Sequence, residues 1–119
     1  MLELLQPTTG NLVAISARGT ITAEDYEEVL IPAIEAMLKA HEKVRVLFQL
    51  EPGTDFTAGA VWDDTKFGLS HFFAFEKLAL VSDTEWINNT VKILGFMMPC
   101  PVKRFALTER EAAMQWLDG

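Results

Sequence analysis

The sequence predicts a small α/β sandwich: a single domain with a five-stranded, mixed but mostly parallel sheet and four helices, in the order β-β-α-β-α-β-α-β-α. Three observations predict it. Short apolar or β-branched runs alternate along the chain with longer stretches whose apolar residues recur every three or four positions. Strands that alternate with helices need crossover connections, which make neighbouring strands parallel. The length, 119 residues, suits one compact domain, and there is no internal repeat, low-complexity tract or linker to divide it.

The opening runs, Leu2 to Gln6 and Leu12 to Arg18, flank Pro7-Thr8-Thr9-Gly10-Asn11, whose composition suits a hairpin; the first strand therefore enters the sheet antiparallel. After Gly19 the period changes. Tyr26, Val29, Leu30, Ala33, Met37 and Leu38 form a helical stripe, with Thr22 as N-cap and Glu24, Asp25, Glu27 and Glu28 near the positive end of the helix dipole. Pro32 lies inside this stripe and deletes a ladder hydrogen bond, so a kink or an irregular first part is expected. Lys43 to Leu50 reads as a mostly buried strand, followed by the loop EPGTDFT. Val61, Trp62, Thr65, Leu69, Phe72 and Phe73 then recur with helical spacing. Lys77 to Val81 is the next buried strand, and Ser82 with Glu85 has capping-box spacing for a third helix running to about Met97. Lys103 to Leu107 reads as the last strand, with Thr108 and Glu111 as a second capping box for the terminal helix.

Composition narrows the function. Half of the residues are hydrophobic and 23% are charged, with a mean hydropathy of +0.16, too apolar for a disordered chain. Ten Lys+Arg against 17 Asp+Glu give a net charge of -7, which argues against nucleic acid, because phosphate binding needs clustered cations. Residues 1–60 hold 4 basic against 9 acidic residues, and residues 61–119 hold 6 against 8. One cysteine, Cys100, closes no intrachain disulfide and fits a reducing cytosol. The start MLELLQP has no signal-peptide pattern, and no uncharged apolar stretch reaches membrane-spanning length. A cytoplasmic location is the expectation.

Together with this order of elements, three segments resemble the SpoIIAA-like family, a branch of the STAS superfamily related to Sec14-type lipid-binding domains. ARGTITAEDYEEVLIPAIEAM (Ala17 to Met37) is similar to the family's strand, glycine turn and first helix. WDDTKFGLSHFFAFEKLALVSDTEW (Trp62 to Trp86) resembles its second helix, following strand and Asp-x-x-Trp turn. KRFALTEREAAMQWL (Lys103 to Leu117) resembles its last strand and short Ala-x-x-Trp-Leu helix. STAS proteins that antagonise anti-sigma factors carry a phosphorylated serine in a D-S-[ST]-G-L motif. Aligned on Gly59, Thr57 takes the phosphoacceptor position and Phe56 stands where the motif has Asp. The alternative role for Thr57, or for Asp55, is the N-cap of the second helix.

Catalysis needs converging groups, and the inventory is thin: two histidines, His41 and His71, and one cysteine. No zinc-ligand spacing, phosphate-binding glycine loop or nucleophile elbow is present, so no metal, cofactor or catalytic residue is assigned. Asp64 and His71, seven residues apart, can share one helix face as half of a general-base pair, or simply as a solvated face. Ser82 and Asp83 follow a strand, where α/β sheets place ligands and a helix N-terminus can hold an anion; capping is their other use.

The third helix is apolar nearly all round. Trp86, Ile93 and Met97 lie on one line, and Ile87, Val91, Leu94 and Met98 on another. It reads either as a deep core helix or as a contact surface built from Trp86, Ile93, Leu94, Phe96, Met97 and Met98. The expected function is a non-enzymatic binding or regulatory module acting through protein contacts, as a homodimer. The alternative is a small carrier of an apolar or lipid ligand, with Phe67, Phe72, Phe73, Phe75, Phe96, Met97 and Met98 lining its pocket. So short a chain is expected to leave little room for a ligand of roughly 300 Å³ or more.

Overall fold

The computed structural model describes residues 1–5, 8, 10–71, 73–87, 89, 92 and 98–118. In chain order they form β1 (Leu2–Leu4), β2 (Leu12–Ala17), β3 (Thr20–Ile21), α1 (Ala23–Asp25), a π-helical turn (Tyr26–Leu30), α2 (Ile31–Ala40), β4 (Val44–Leu50), β5 (Asp55–Phe56) and α3 (Ala58–Ser70). β6 (Phe75–Val81), α4 (helical at residues 85–87, 89 and 92), β7 (Val102–Phe105), a 3-10 turn (Leu107–Glu109) and α5 (Arg110–Asp118) complete the chain. With α1, the π-helical turn and α2 continuous, this is the predicted order apart from the added two-residue strands β3 and β5. The main sheet runs β1-β2-β4-β6-β7, antiparallel between β1 and β2 and parallel elsewhere.

Each sheet face has its own core. On one face Val13, Ile15, Ala17, Val46, Phe48 and Leu50 pack against Tyr26, Leu30 and Ile34 of the continuous first helix, Ala60 and Phe67 of α3 and Ile87 of α4. On the other, Leu12, Ala14, Leu47, Ala79, Val81 and Phe105 pack against Ala113 and Leu117 of α5. With both faces covered, β2 is buried along its whole length, as the continuous apolar run of a parallel strand implies. The far end of α5 is tied down by cations at its carbonyls. Arg45 Nη1 donates to the Leu117 carbonyl at 2.6 Å, and Lys77 Nζ donates to the Trp116 carbonyl at 2.9 Å.

The irregularity expected near Pro32 lies just before it. The Ile31 N–H reaches back to the Tyr26 carbonyl, a π-helical bond. The extra residue rotates the downstream helix by about 100°. The most buried line is therefore Tyr26, Leu30 and Ile34, not the Val29, Ala33, Met37 side of the predicted stripe. Thr22 caps the helix as predicted, its N–H donating to Asp25 Oδ2 at 2.9 Å while Thr22 Oγ1 accepts from Asp25 N at 3.3 Å.

Three local predictions are corrected. β3 and β5 pair in parallel as a second two-stranded sheet, Thr20 opposite Asp55 and Ile21 opposite Phe56, where the sequence shows only turn and loop. Two-residue strands have too little pattern to read, yet this pair sets the neighbouring starts of α1 and α3. Gly59 then lets the helices approach, since a Cβ there would stand 3.2 Å from that of Ala23. Before α5, the cap is formed not by Thr108 and Glu111 but by Glu109, whose Oε1 accepts the Ala106 N–H at 2.8 Å. Ser82 sits short of α4, which begins at residue 85, and its hydroxyl accepts the Thr84 N–H at 3.0 Å.

Candidate binding pocket

A cavity of about 520 Å³ opens on the helix-covered face, near the carboxyl ends of β4 and β6. Its floor is set by strand alternation. Phe48 and Leu50, two apart on β4, and Leu78 and Leu80, two apart on β6, point to one face, with Phe48 opposite Leu80 in the register. Leu78 and Leu80 are half-buried, packed against the first core and lining the cavity. The walls, among the described residues, are Tyr26 from the π-helical turn, Asp55 and Phe56 from β5, Val61 and Asp64 from α3, and Trp86 and Ile87 from α4. Val61 and Asp64 are three apart, hence neighbours on one helical face. Trp86 stands at the mouth, edge-on to Phe56 with ring centroids 6.3 Å apart. Switch points and strand carboxyl ends are the usual ligand positions in α/β sheets.

The polar groups of the lining are few and acidic. The Tyr26 hydroxyl and the Asp64 carboxylate are close enough in the lining to influence each other's protonation. Asp64 is open to solvent as a residue, yet the protein around its carboxyl group pushes its pKa above the ordinary value, with the neighbouring Tyr26 hydroxyl pulling the other way. Tyr26 is 4% exposed, and burial first, then the charges of Asp64 and Asp63, hold its phenol in the protonated form. It therefore acts as a fixed donor. Asp63, the neighbour of Asp64, is buried, with no hydrogen-bond partner for Oδ2 among the described residues.

The other residues singled out from sequence lie elsewhere. Thr57 is the N-cap of α3, its Oγ1 accepting from Ala60 N at 3.1 Å. His71 closes the same helix, its ring stacked on Phe67 with centroids 4.1 Å apart and Nδ1 2.8 Å from Ser70 Oγ. Asp64 and His71 thus engage different partners. Ser82 is fully buried; beyond its cap to Thr84, its N–H donates to the Phe105 carbonyl at 2.9 Å and its carbonyl accepts from Arg104 at 3.0 Å. Asp83 Oδ1 accepts the Leu107 N–H at 3.1 Å. Ser82 and Asp83 therefore join the end of β6 to the start of the 3-10 turn.

Of the apolar surface, Trp86 is exposed, while Met98 is half-buried against the first core. Ile93, Leu94, Phe96 and Met97 lie outside the described residues. The pocket expected from Phe67, Phe73 and Phe75 is a different one: Phe67 and Phe75 are core, Phe73 is 75% exposed, and Phe72 is outside the described residues. The expectation of little ligand volume is also corrected by the 520 Å³ cavity. The sheet residues of the floor were legible as buried strand, but nothing local marks them as lining a cavity. Among the described residues, no three His, Cys, Asp or Glu side chains are placed to hold a metal ion. No helix among them is long and apolar enough to cross a membrane.

The comparisons agree with this architecture. A crystal structure of an uncharacterised protein of the DUF3478 family from Shewanella loihica PV-4, with a SpoIIAA-like fold, superposes with a TM-score of 0.76. The two chains are 25% identical over 98% of this chain and 93% of that one. No curated protein matches. The SpoIIAA-like family model matches residues 12–118, from the second strand to the end of the last helix. The chain belongs to the SpoIIAA-like family.

Proposed function

We propose that the protein is a non-enzymatic STAS-type binding module and that the pocket between its helices and the sheet is where it binds. The cavity carries this reading. It is large enough for a small molecule, is floored by Phe48, Leu50, Leu78 and Leu80, and its polar lining among the described residues is one phenol and two carboxylates rather than a nucleophile beside a base. Such a lining suits uptake of an apolar group. Native mass spectrometry of freshly purified protein, with titration of decanol followed by calorimetry, tests it. A bound apolar molecule or one-to-one saturation supports the reading. Absence of both, or decanol binding unchanged in a Leu80→Trp variant that fills the floor, removes it.

A second reading, engagement of a protein partner and in the simplest case a second copy, is favoured by the rim. Val61 and Trp86, both in the pocket lining, are 54% and 51% exposed, and Trp62, next to Val61 on α3, is 62% exposed. Size-exclusion chromatography with light scattering decides the dimer: a strict monomer at micromolar concentration ends it. A cytoplasmic location belongs to the same proposal, supported by Cys100 as a buried free thiol.

A further inference from the structure

Resting on the apolar-pocket reading, we propose that the pocket selects an apolar molecule bearing an ammonium group and discriminates against the carboxylate anion of the same chain length. The cavity is apolar on its floor, so an aliphatic or aromatic body is the part it shelters. Its charges all have one sign. Asp55 enters from β5 and Asp64 from α3, and among the described lining residues there is no Lys, Arg or His. Asp63, next to Asp64, adds its field at Tyr26. A fatty-acid head placed here would face carboxylates with no compensating cation among the described lining residues, where the surrounding protein screens charge less than water does. An ammonium would instead form a charge-assisted hydrogen bond with Asp64.

Tyr26 lines the pocket beside Asp64; its phenol stays protonated, so it adds a donor and no charge of its own, and the carboxylate keeps acceptor capacity for a ligand. The chain's overall charge of -7 acts in the same direction at longer range.

Three probes with one body test this: decylammonium, decanol and decanoate, titrated near neutral pH by calorimetry and by fluorescence of Trp86 at the mouth. Decylammonium is expected to bind at least about tenfold more tightly than decanoate, the equivalent of about 1.4 kcal/mol, with decanol between them. In Asp64→Asn, which keeps an acceptor for Tyr26, decanol affinity is expected to hold while the ammonium advantage over decanol falls to within about threefold. Asp55→Asn, in the lining from β5, provides a second variant if the first is poorly folded. If all three probes saturate and decanoate matches decylammonium, the charge assignment is overturned and the pocket reading stands. If the advantage survives in both variants, it arises from the general acidity of the surface and the assignment to these carboxylates is wrong. If no probe binds, the pocket reading falls and takes this inference with it.

Discussion

Thr57 is where the phosphoacceptor and helix-cap readings meet, and the structure makes the second quantitative. Its Oγ1 accepts the Ala60 N–H at 3.1 Å and so satisfies one of the N–H groups that α3 cannot pair internally. Thr57→Ala removes that acceptor and should cost about 1 kcal/mol, within the usual 0.5–2 for such caps. Unfolding entropy of about 2.1 cal/mol/K per residue gives roughly 0.25 kcal/mol/K for 119 residues. The melting temperature should therefore fall by about 4 °C. Thr57→Asp restores an acceptor and adds a negative charge at the positive end of the helix dipole, so it should melt within about 2 °C of the parent. Paired calorimetric scans of the parent and both variants provide the measurement. An Ala variant that melts with the parent, or an Asp variant as weak as the Ala variant, would refute the capping argument and return Thr57 to the phosphoacceptor reading.

Other contacts make further outcomes testable. Arg45 is 12% exposed and donates at 2.6 Å both to the Leu117 carbonyl and to Asn11 Oδ1; Arg45→Ala should cost about 2–4 kcal/mol in denaturant melts, whereas Asp118→Asn, which removes only its exposed partner at 3.3 Å, should cost less than about 1 kcal/mol. Asp64 has a folded-state pKa raised above 3.8, so its contribution is fully favourable below that pH and is lost as pH rises through the raised value; a pH series of melts should show the parent losing stability relative to Asp64→Asn over that window, and the opposite slope would overturn the assignment. Cys100 is buried, with desolvation raising its thiol pKa, and should react with iodoacetamide far more slowly in native protein than in urea; equal rates would place it at the surface.

Pattern and position were legible to different degrees. The alternation of β4, the stripe beginning at Tyr26 and the cap at Thr22 are local features, so they were readable before any contact was known. The rotation introduced by the π-helical turn was not. Pro32 signals a disturbance, but its effect on which residues face inward, Ile34 rather than Ala33, depends on how the backbone accommodates it. Ser82 and Glu85 have the spacing of a capping box, yet α4 begins too late for Ser82 to cap it; a spacing rule states what two residues can do once a helix starts, not where it starts. Asp64 was paired in sequence with His71 because seven residues align on a helix, whereas the side chain that acts on its carboxyl group is Tyr26, 38 positions earlier, on another helix.

By itself, then, the sequence determined the order of strands and helices, their mostly parallel arrangement, the acidity and the SpoIIAA-like family. Each of these rests on periodicity, composition or a short motif, all carried by neighbouring residues. Only the tertiary structure decided that a cavity exists. Hydrophobic period tells which side chains leave water but not which surface receives them, and Phe48, Leu50, Leu78 and Leu80 look alike in sequence whether a helix covers them or they line a cavity. The same holds for the charge in the pocket, because Tyr26, Asp55 and Asp64 come from three separate elements and meet only when these pack on one sheet.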